Sequence, residues 1–404
     1  MLRGTTMTHG TDDTDVGGRL FTPAFIGLGI AELAYFTAAG ILIPTTPLFA
    51  AGPLGADEAG VGLTIGAFSV TALLLRPFAG RAADVRGRRP LLVSGAILAA
   101  IAVAAHLVVT DLLVLVALRL LLGVAEAFFF VAGFAMVADL APPGRAGEAL
   151  SYNSLALYLG IALGPGAGEL LVAWGGYGLA WIGAAALCVL AGAIAFAMRE
   201  SATLVADPGP LRLLHRRALL PSIGLFMGIF GMSAFLGFVA IWAGRLGMDG
   251  SGSVLLLFGA IVIGARIIFA RLPDRVPPFR LAAAALGLIQ VGLAVIGFVP
   301  TAAGLYVGAA LCAVGVAFTT PAFFSAIIAR VPPSETGVAL GTTSLFLDLA
   351  FGGGPAFLGF IALGVGLGLG FGVTAVIVGI GAVGTAWAAL RAVGAPMARA
   401  QGAA

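Results

Sequence analysis

The chain contains no lysine; all 21 of its basic residues are arginine. Acidic residues number 18, and charges of both signs fill only 10% of 404 positions, against about 25% in ordinary soluble domains. So little charge excludes a soluble globular enzyme. The two cysteines, Cys188 and Cys312, lie deep in apolar runs, which argues against a disulfide framework or a thiolate metal site. No His/Asp/Glu group has metal-ligand spacing. No P-loop or nucleophile elbow stands in a suitable context. Neither an enzyme activity, a cofactor nor a metal is therefore expected. The arginines form no patch for nucleic acid. The first twenty residues lack an apolar core, so they do not read as a secretory signal, and residues 1–20 are expected to form a disordered cytoplasmic tail.

What is present is apolar. Hydrophobic residues make up 60% of the chain and the mean hydropathy is +1.12. Apolar runs recur along the whole length, each near the ~20 residues a membrane-spanning helix needs. Glycine is abundant, at 61 residues, which suits close helix packing in lipid. The runs predict twelve spans, at 22–49, 59–79, 91–109, 112–137, 148–173, 178–198, 219–243, 252–270, 281–299, 304–328, 337–361 and 368–390. Spans 1 and 5 are long and contain prolines (Pro44 and Pro47; Pro165) that tilt or kink them. The tail and the even-numbered connections carry nearly all the arginines; the other side carries Arg245, and Arg76, Arg119 and Arg266 fall inside spans. The positive-inside rule then places both termini in the cytoplasm of a cell inner membrane.

The polar segment 199–218 bisects the chain and reads as a cytoplasmic linker. Shifting one half by 190 residues aligns Arg76 with Arg266, Arg81 with Arg271 and Asp84 with Asp274. The same shift aligns Pro142-Pro143 with Pro332-Pro333, Ser154-Leu155 with Ser344-Leu345, and Gly164-Pro165 with Gly354-Pro355. The expected fold is an all-α membrane protein of twelve helices in two parallel six-helix repeats, an architecture that transporters use. The expected divisions are an N-terminal bundle at 21–198, the linker, a C-terminal bundle at 219–391 and a cytoplasmic tail at 392–404.

Residues 80–92, GRAADVRGRRPLL, fall between spans 2 and 3. Gly80 and Gly87 allow a tight hairpin, and the arginines anchor it in an anionic leaflet. A topology anchor needs no carboxylate, yet Asp84 is there. Gly80, Asp84, Gly87, Arg88 and Arg89 resemble the signature loop of the major facilitator superfamily, with Val85 where a basic residue is usual. The degenerate echo ARLPDR at 270–275, the twelve spans and the central linker extend the resemblance over the whole chain. It implies a conformational latch. In it, Asp84 sits at the positive N-terminal end of span 11, near Gly337, and Arg88 or Arg89 pairs with Asp139 at the end of span 4.

Two further stretches carry the resemblance. In ALRLLLGVAEAFFF (117–130), Arg119 with Gly123 is similar to the family's span-4 motif, linked to proton coupling or substrate binding; the other reading of Arg119 is a salt bridge that only orders the bundle. Arg119 and Glu126 share a helix face roughly 10 Å apart, so each meets another helix. In LGIALGPGAGELL (159–171), Gly160, Gly164 and Gly168 form a smooth packing face. Gly160, Gly164, Pro165 and Gly166 resemble the motif of the proton-antiporting drug and metabolite exporters, with Ala167 where a second glycine is common. Glu169 lies near the outer end of this span, and solvation accounts for it.

Intramembrane carboxylates are costly and mark function. Glu32 is central in span 1, which lines the cavity in the family, and nothing within one turn pairs with it. It is either a proton or substrate site, with Arg119 and Glu126 as partners across the cavity, or a neutral packing residue. Asp348 in span 11 either faces the cavity or bonds a neighbouring helix. His106 reads as interfacial and Gln290 as a helix–helix hydrogen bond. Tyr35, Phe36, Phe128, Phe129, Phe130, Phe134, Phe226, Phe230, Phe235, Phe238, Trp242, Phe318, Phe323 and Phe324 crowd the expected cavity helices. An aromatic cavity with isolated carboxylates suits an amphipathic or cationic organic solute. The resemblance therefore implies a monomeric proton antiporter that exports small amphipathic molecules; import by proton symport is the alternative. The expected partners are a small-molecule substrate, protons and the lipid bilayer.

Overall fold

A computed structural model of the chain describes residues 19–142, 145–201, 214–269, 272–332 and 335–394. Residues 1–18 of the expected tail at 1–20, residues 395–404 of that at 392–404, and most of the linker (202–213) lie outside the described residues.

A chain this apolar must satisfy its backbone hydrogen bonds within each crossing segment, and helices do that. The long helices are α1 (Pro23–Ala51), α2 (Glu58–Arg86), α3 (Arg88–Ala104), α4 (Leu112–Leu140) and α5 (Ala146–Ala197). After these come α6 (Leu219–Arg245), α7 (Gly252–Ile268), the short α8 (Leu272–Arg275), α9 (Pro278–Phe298), α10 (Ala302–Ile328) and α11 (Thr336–Gly394). Side-chain caps fix several starts: Thr22, Asp57, Asp111 and Thr301 each accept a hydrogen bond from the backbone N–H three residues on.

Two of these stretches, α5 and α11, are each a pair of helices joined at a kink where the chain turns back on itself. α5 leaves helical geometry at Gly175 and Gly176, and α11 does so at Gly366. A Cβ on Gly183 would lie 2.8 Å from the Leu171 side chain, and one on Gly370 would lie 2.8 Å from that of Leu358. In a straight helix those residues would stand about 18 Å apart. Each of the two therefore supplies two crossings, spans 5 and 6 and spans 11 and 12. With α7 as span 8, the twelve expected spans are all present among the described residues.

The segment expected as a hairpin is mostly helix. α2 runs on through Gly80 and Asp84 to Arg86, and α3 begins at Arg88. Gly87 alone makes the turn, at φ 101°, which a residue with a Cβ rarely adopts. The charges on 81–86 project from a helix end, so nothing requires that helix to stop at the membrane surface.

Buried apolar side chains gather in two main cores. One is built from α1 to α5; the other comes mostly from α6 to α11. Large side chains such as Leu74, Phe78, Leu113 and Phe196 point outward, as helix faces toward lipid do. The arginine-bearing connections share one end of the molecule, called the arginine-rich face here.

Candidate functional site

The two halves meet along two seams. In the first, α2 lies on α11. A Cβ on Gly62 would fall 2.5 Å from the Pro355 carbonyl oxygen, Ser69 packs on Gly352, and Arg76 Nε is 2.5 Å from Asp348 Oδ2. In the second, α7 lies on α5. Gly252 N–H donates to Glu169 over 2.7 Å, Gly259 packs on Ala162, and Arg266 Nη2 donates to the Tyr158 hydroxyl over 2.7 Å. These contacts obey the 190-residue offset, Gly62 also standing against Gly359, the counterpart of Glu169. Residues 62, 69 and 76 map onto 252, 259 and 266; 352 and 348 map onto 162 and 158. The seams are thus two copies of one interface, as parallel repeats related by an axis along the membrane normal require.

The chemistry concentrates where the first seam reaches mid-depth. Arg76 stands about 27 Å along α2 from Glu58, and Glu126 lies midway along α4. Arg76 Nη2 is 3.4 Å from Glu126 Oε1, so one guanidinium links carboxylates from both halves. Its Cζ also lies 4.4 Å from the centroid of Phe130, a cation–π contact. The side chains of Arg76 and Asp348 are 8% and 3% exposed and that of Glu126 is 20% exposed. A buried ion pair this dry holds only while both charges persist, because removing one strands the other. With one cation and two acids, a single proton on either carboxylate makes the cluster neutral.

Two ties between the halves stand on the opposite face, one of them the Glu169 contact of the second seam. Glu169 accepts from Ser251 N and Oγ and from Gly252 N, placing a carboxylate on the positive end of α7. Arg245 at the end of α6 pairs with Glu58 at the start of α2.

The remaining sequence-predicted residues divide. Glu32 is 2% exposed. It takes no contact from Arg119 or Glu126, which corrects the expected pairing. Its Oε2 accepts from Asn153 Nδ2 of α5 at 2.5 Å, and Gly133 of α4 leaves room for Oε1. Tyr35 stacks on Phe129 at 3.9 Å inside the same half. Arg119 reaches α2 instead of the cavity acids: Nε donates to the Thr64 carbonyl (3.2 Å) and Nη2 to that of Ile65 (3.4 Å). Gly123 permits this, since any Cβ there would collide with the Phe68 carbonyl oxygen. Among the aromatics, Phe129, Phe235, Phe238 and Phe323 are fully buried core. Phe130 stacks on Phe134 beside Arg76.

At the arginine-rich face, Arg88 bridges Asp84 (2.6 Å) and Asp139 (3.3 Å). Asp84 thus pairs within its own half, and its side chain is 40% exposed; the side chains at 336–338, where span 11 begins, lie outside the described residues. Arg89 Nη2 donates to the Phe196 carbonyl. Glu200 accepts from the backbone N–H of Arg88 and Arg89 and so caps α3. In span 5, Gly160 and Gly164 press against Phe36 and Gly40 of α1, and Gly168 against Ile41. Gly166 faces Gly252 across the second seam. Pro165 approaches Gly40.

Sequence reasoning missed Arg76, Asn153, Tyr158 and Glu200 as partners, and Glu169 as a tie. The repeat held a signal for one of them: the offset that aligns Arg76 with Arg266 also places Tyr158 opposite Asp348.

Two six-helix repeats meeting on paired seams, with ionisable groups buried between them, form an arrangement that membrane transporters use. Residues 28–355 match the Major Facilitator Superfamily, and the chain belongs to that family. It is 29% identical over 328 residues to an uncharacterised MFS-type transporter of Salmonella typhimurium, covering 79% of this chain and 84% of that one. It is 32% identical over 355 residues to an uncharacterised MFS-type transporter of Pseudomonas aeruginosa, covering 83% and 87%. Among solved structures, a bacterial homologue of the human lysosomal transporter Spinster, inward-facing and occupied, superposes with a TM-score of 0.75 at 16% identity, over 93% and 98% of the chains. The human organic anion transporter MFSD10 (TETRAN) superposes with a TM-score of 0.70 at 19% identity, over 90% and 98%. The chain is therefore a multi-pass membrane transporter for small molecules.

Proposed function

We propose that the protein exports small amphipathic organic molecules by proton antiport, with the Arg76–Glu126–Asp348 cluster as the coupling element. The observation that carries this reading is the 2.5 Å Arg76–Asp348 pair across the first seam, with Glu126 on the same guanidinium. A proton carrier must meet one side of the membrane and then the other. A group on the seam does so as the halves rock; Glu32, enclosed within one half, does not. Protonation of Asp348 releases Arg76 from α11 and loosens the seam at mid-depth. Loss of that proton restores the pair and closes it.

The arginine bias supports a cytoplasmic arginine-rich face and cytoplasmic termini in an inner membrane. The seam contacts and the Glu169 and Arg245 ties then close the outer side, which makes this the inward-facing state. The span-5 glycine–proline stretch supports export over import. The aromatic groups beside Arg76 support an amphipathic solute. Each chain holds both seams, which supports a working monomer.

The test is accumulation in cells. Expression lowers the uptake of at least one amphipathic compound, and an uncoupler abolishes the difference. Accumulation that rises with expression and collapses with the uncoupler would instead establish proton symport.

A further inference from the structure

The two seams are copies in position but not in charge. At the first, Arg76 meets a carboxylate from the opposite half, Asp348. At the second, Arg266 stands at the equivalent site, and the residue equivalent to Asp348 is Tyr158. The Arg266 guanidinium has the Tyr158 ring 3.9 Å from Cζ and donates to its hydroxyl from Nη2. Its Nε is buried and has no partner among the described residues. No carboxylate lies within ion-pair distance of Arg266 among the described residues. A guanidinium at membrane depth is costly unless it meets an anion or water. Arg119, the other span arginine without an acid, is different, because backbone carbonyls of α2 take up its Nε and Nη2.

We infer that Arg266 and Tyr158 form a binding site for the oxyanion of an amphipathic organic solute, whose negative group supplies the counter-ion this seam lacks. The chemistry is complementary. An oxyanion that enters as α5 and α7 move apart accepts from the unpartnered Nε–H of Arg266, which is buried in this state, and planar guanidinium donors suit carboxylate, sulfonate or phosphate oxygens. The Tyr158 oxygen already accepts from Arg266, so its own O–H is free to donate to the same ligand. Phe269, one turn beyond Arg266, meets Phe318 edge-on at 6.3 Å and offers an apolar surface for the solute body. The site bridges α5 and α7, so a bound anion ties the two halves together, as Asp348 does on the first seam. Substrate and carboxylate thus play the same structural part on opposite sides of the pathway. The inference rests on the transport reading above and narrows its substrate to anions.

The test is binding to the full-length protein in nanodiscs, with three probes of one shape: naphthalenesulfonate, naphthalenemethanol and naphthylmethylammonium. In phosphatidylcholine discs the sulfonate binds best. Arg266→Gln weakens it by about tenfold or more, as loss of a charged hydrogen bond does, while Arg266→Lys retains part of it. Tyr158→Asp supplies an internal counter-ion and blocks the sulfonate while the protein stays folded, which separates loss of the site from misfolding. A lipid source of the anion is read in discs containing phosphatidylglycerol. Competition with the sulfonate there that vanishes in Arg266→Gln assigns the same site to a lipid phosphate. Equal binding of all three probes, or sulfonate binding unchanged in both Arg266→Gln and Tyr158→Asp, overturns the inference. Binding needs no proton gradient. Loss of coupled transport with sulfonate binding intact would therefore count against proton antiport alone.

Discussion

Arg76 of α2 and Asp348 of α11 stand 2.5 Å apart across the boundary between the halves, and Glu126 shares the same guanidinium. The pair lies well inside the membrane, where an isolated charge has no water to fall back on. On the proposed mechanism it joins the stability of the closed seam to the protonation state of one carboxylate.

Asp348→Asn leaves Arg76 facing only Glu126 at 3.4 Å. Because Glu126 still answers Arg76, the cost falls below the ~3–5 kcal/mol of stranding a buried charge outright. The variant should show a lower apparent melting temperature in detergent than the wild type. Arg76→Met with Asp348→Leu and Glu126→Gln removes all three charges and should recover part of that loss. Equal melting temperatures for the wild type and Asp348→Asn would show that the pair contributes nothing to the closed state.

Asn153 is the polar partner of the enclosed Glu32 carboxylate. Asn153→Leu strands that group, at roughly 1–3 kcal/mol. Adding Glu32→Leu should offset much of the cost, a non-additivity that a double-mutant cycle measures. Glu32→Gln alone keeps the shape and the acceptor oxygen, so transport driven by a pH gradient should persist. Its collapse would move the coupling role to Glu32.

Glu169 holds the N-terminus of α7 through Ser251 and Gly252. Glu169→Gln removes the charge from that helix end, worth about 1 kcal/mol, or roughly a fivefold shift in population. A single cysteine at Ala162, with Cys188 and Cys312 replaced, should then react faster with an impermeant maleimide added outside. An unchanged rate would mean that this tie does not set the balance between outward- and inward-facing states.

Gly87 turns the chain at φ 101°, with Glu200 packed against it. Gly87→Ala adds both backbone strain and a collision with the cap of α3. Expression and melting temperature should fall, while Gly80→Ala, in an open part of a helix, should be tolerated. Equal effects would show that residues 80–87 act as one flexible loop.

Much of the fold was legible because lipid imposes a simple code. Each crossing needs a run of about twenty apolar residues, and the chain shows twelve. The repeat was legible because a single offset aligns Arg76, Arg81 and Asp84 with their counterparts. The site was harder. Asp348 stands out as a carboxylate in an apolar span, but no periodicity says that its helix meets α2. Glu32 stood out equally, and its partner Asn153 was hidden in a polar run, YNS, that reads as a helix start. Arg119 resembled a functional motif and proved to donate to main-chain carbonyls, contacts that leave no trace in side-chain patterns. The 80–86 segment looked like a loop by composition, because arginine, aspartate and glycine mark helix ends as well as turns.

The central claim is that Asp348 carries the proton, and the direct measurement is proton movement in proteoliposomes loaded with a pH-sensitive dye. Naphthalenesulfonate, naphthalenemethanol and naphthylmethylammonium are added in turn, and exchange of each labelled probe is followed in parallel. Wild-type protein should show a probe-dependent proton flux opposite in direction to probe movement. Asp348→Asn should lose that flux and keep the exchange, because the halves still rock around a neutral seam. Wild-type proton flux in Asp348→Asn would contradict the account, and its loss on adding Glu126→Gln would move the proton to Glu126.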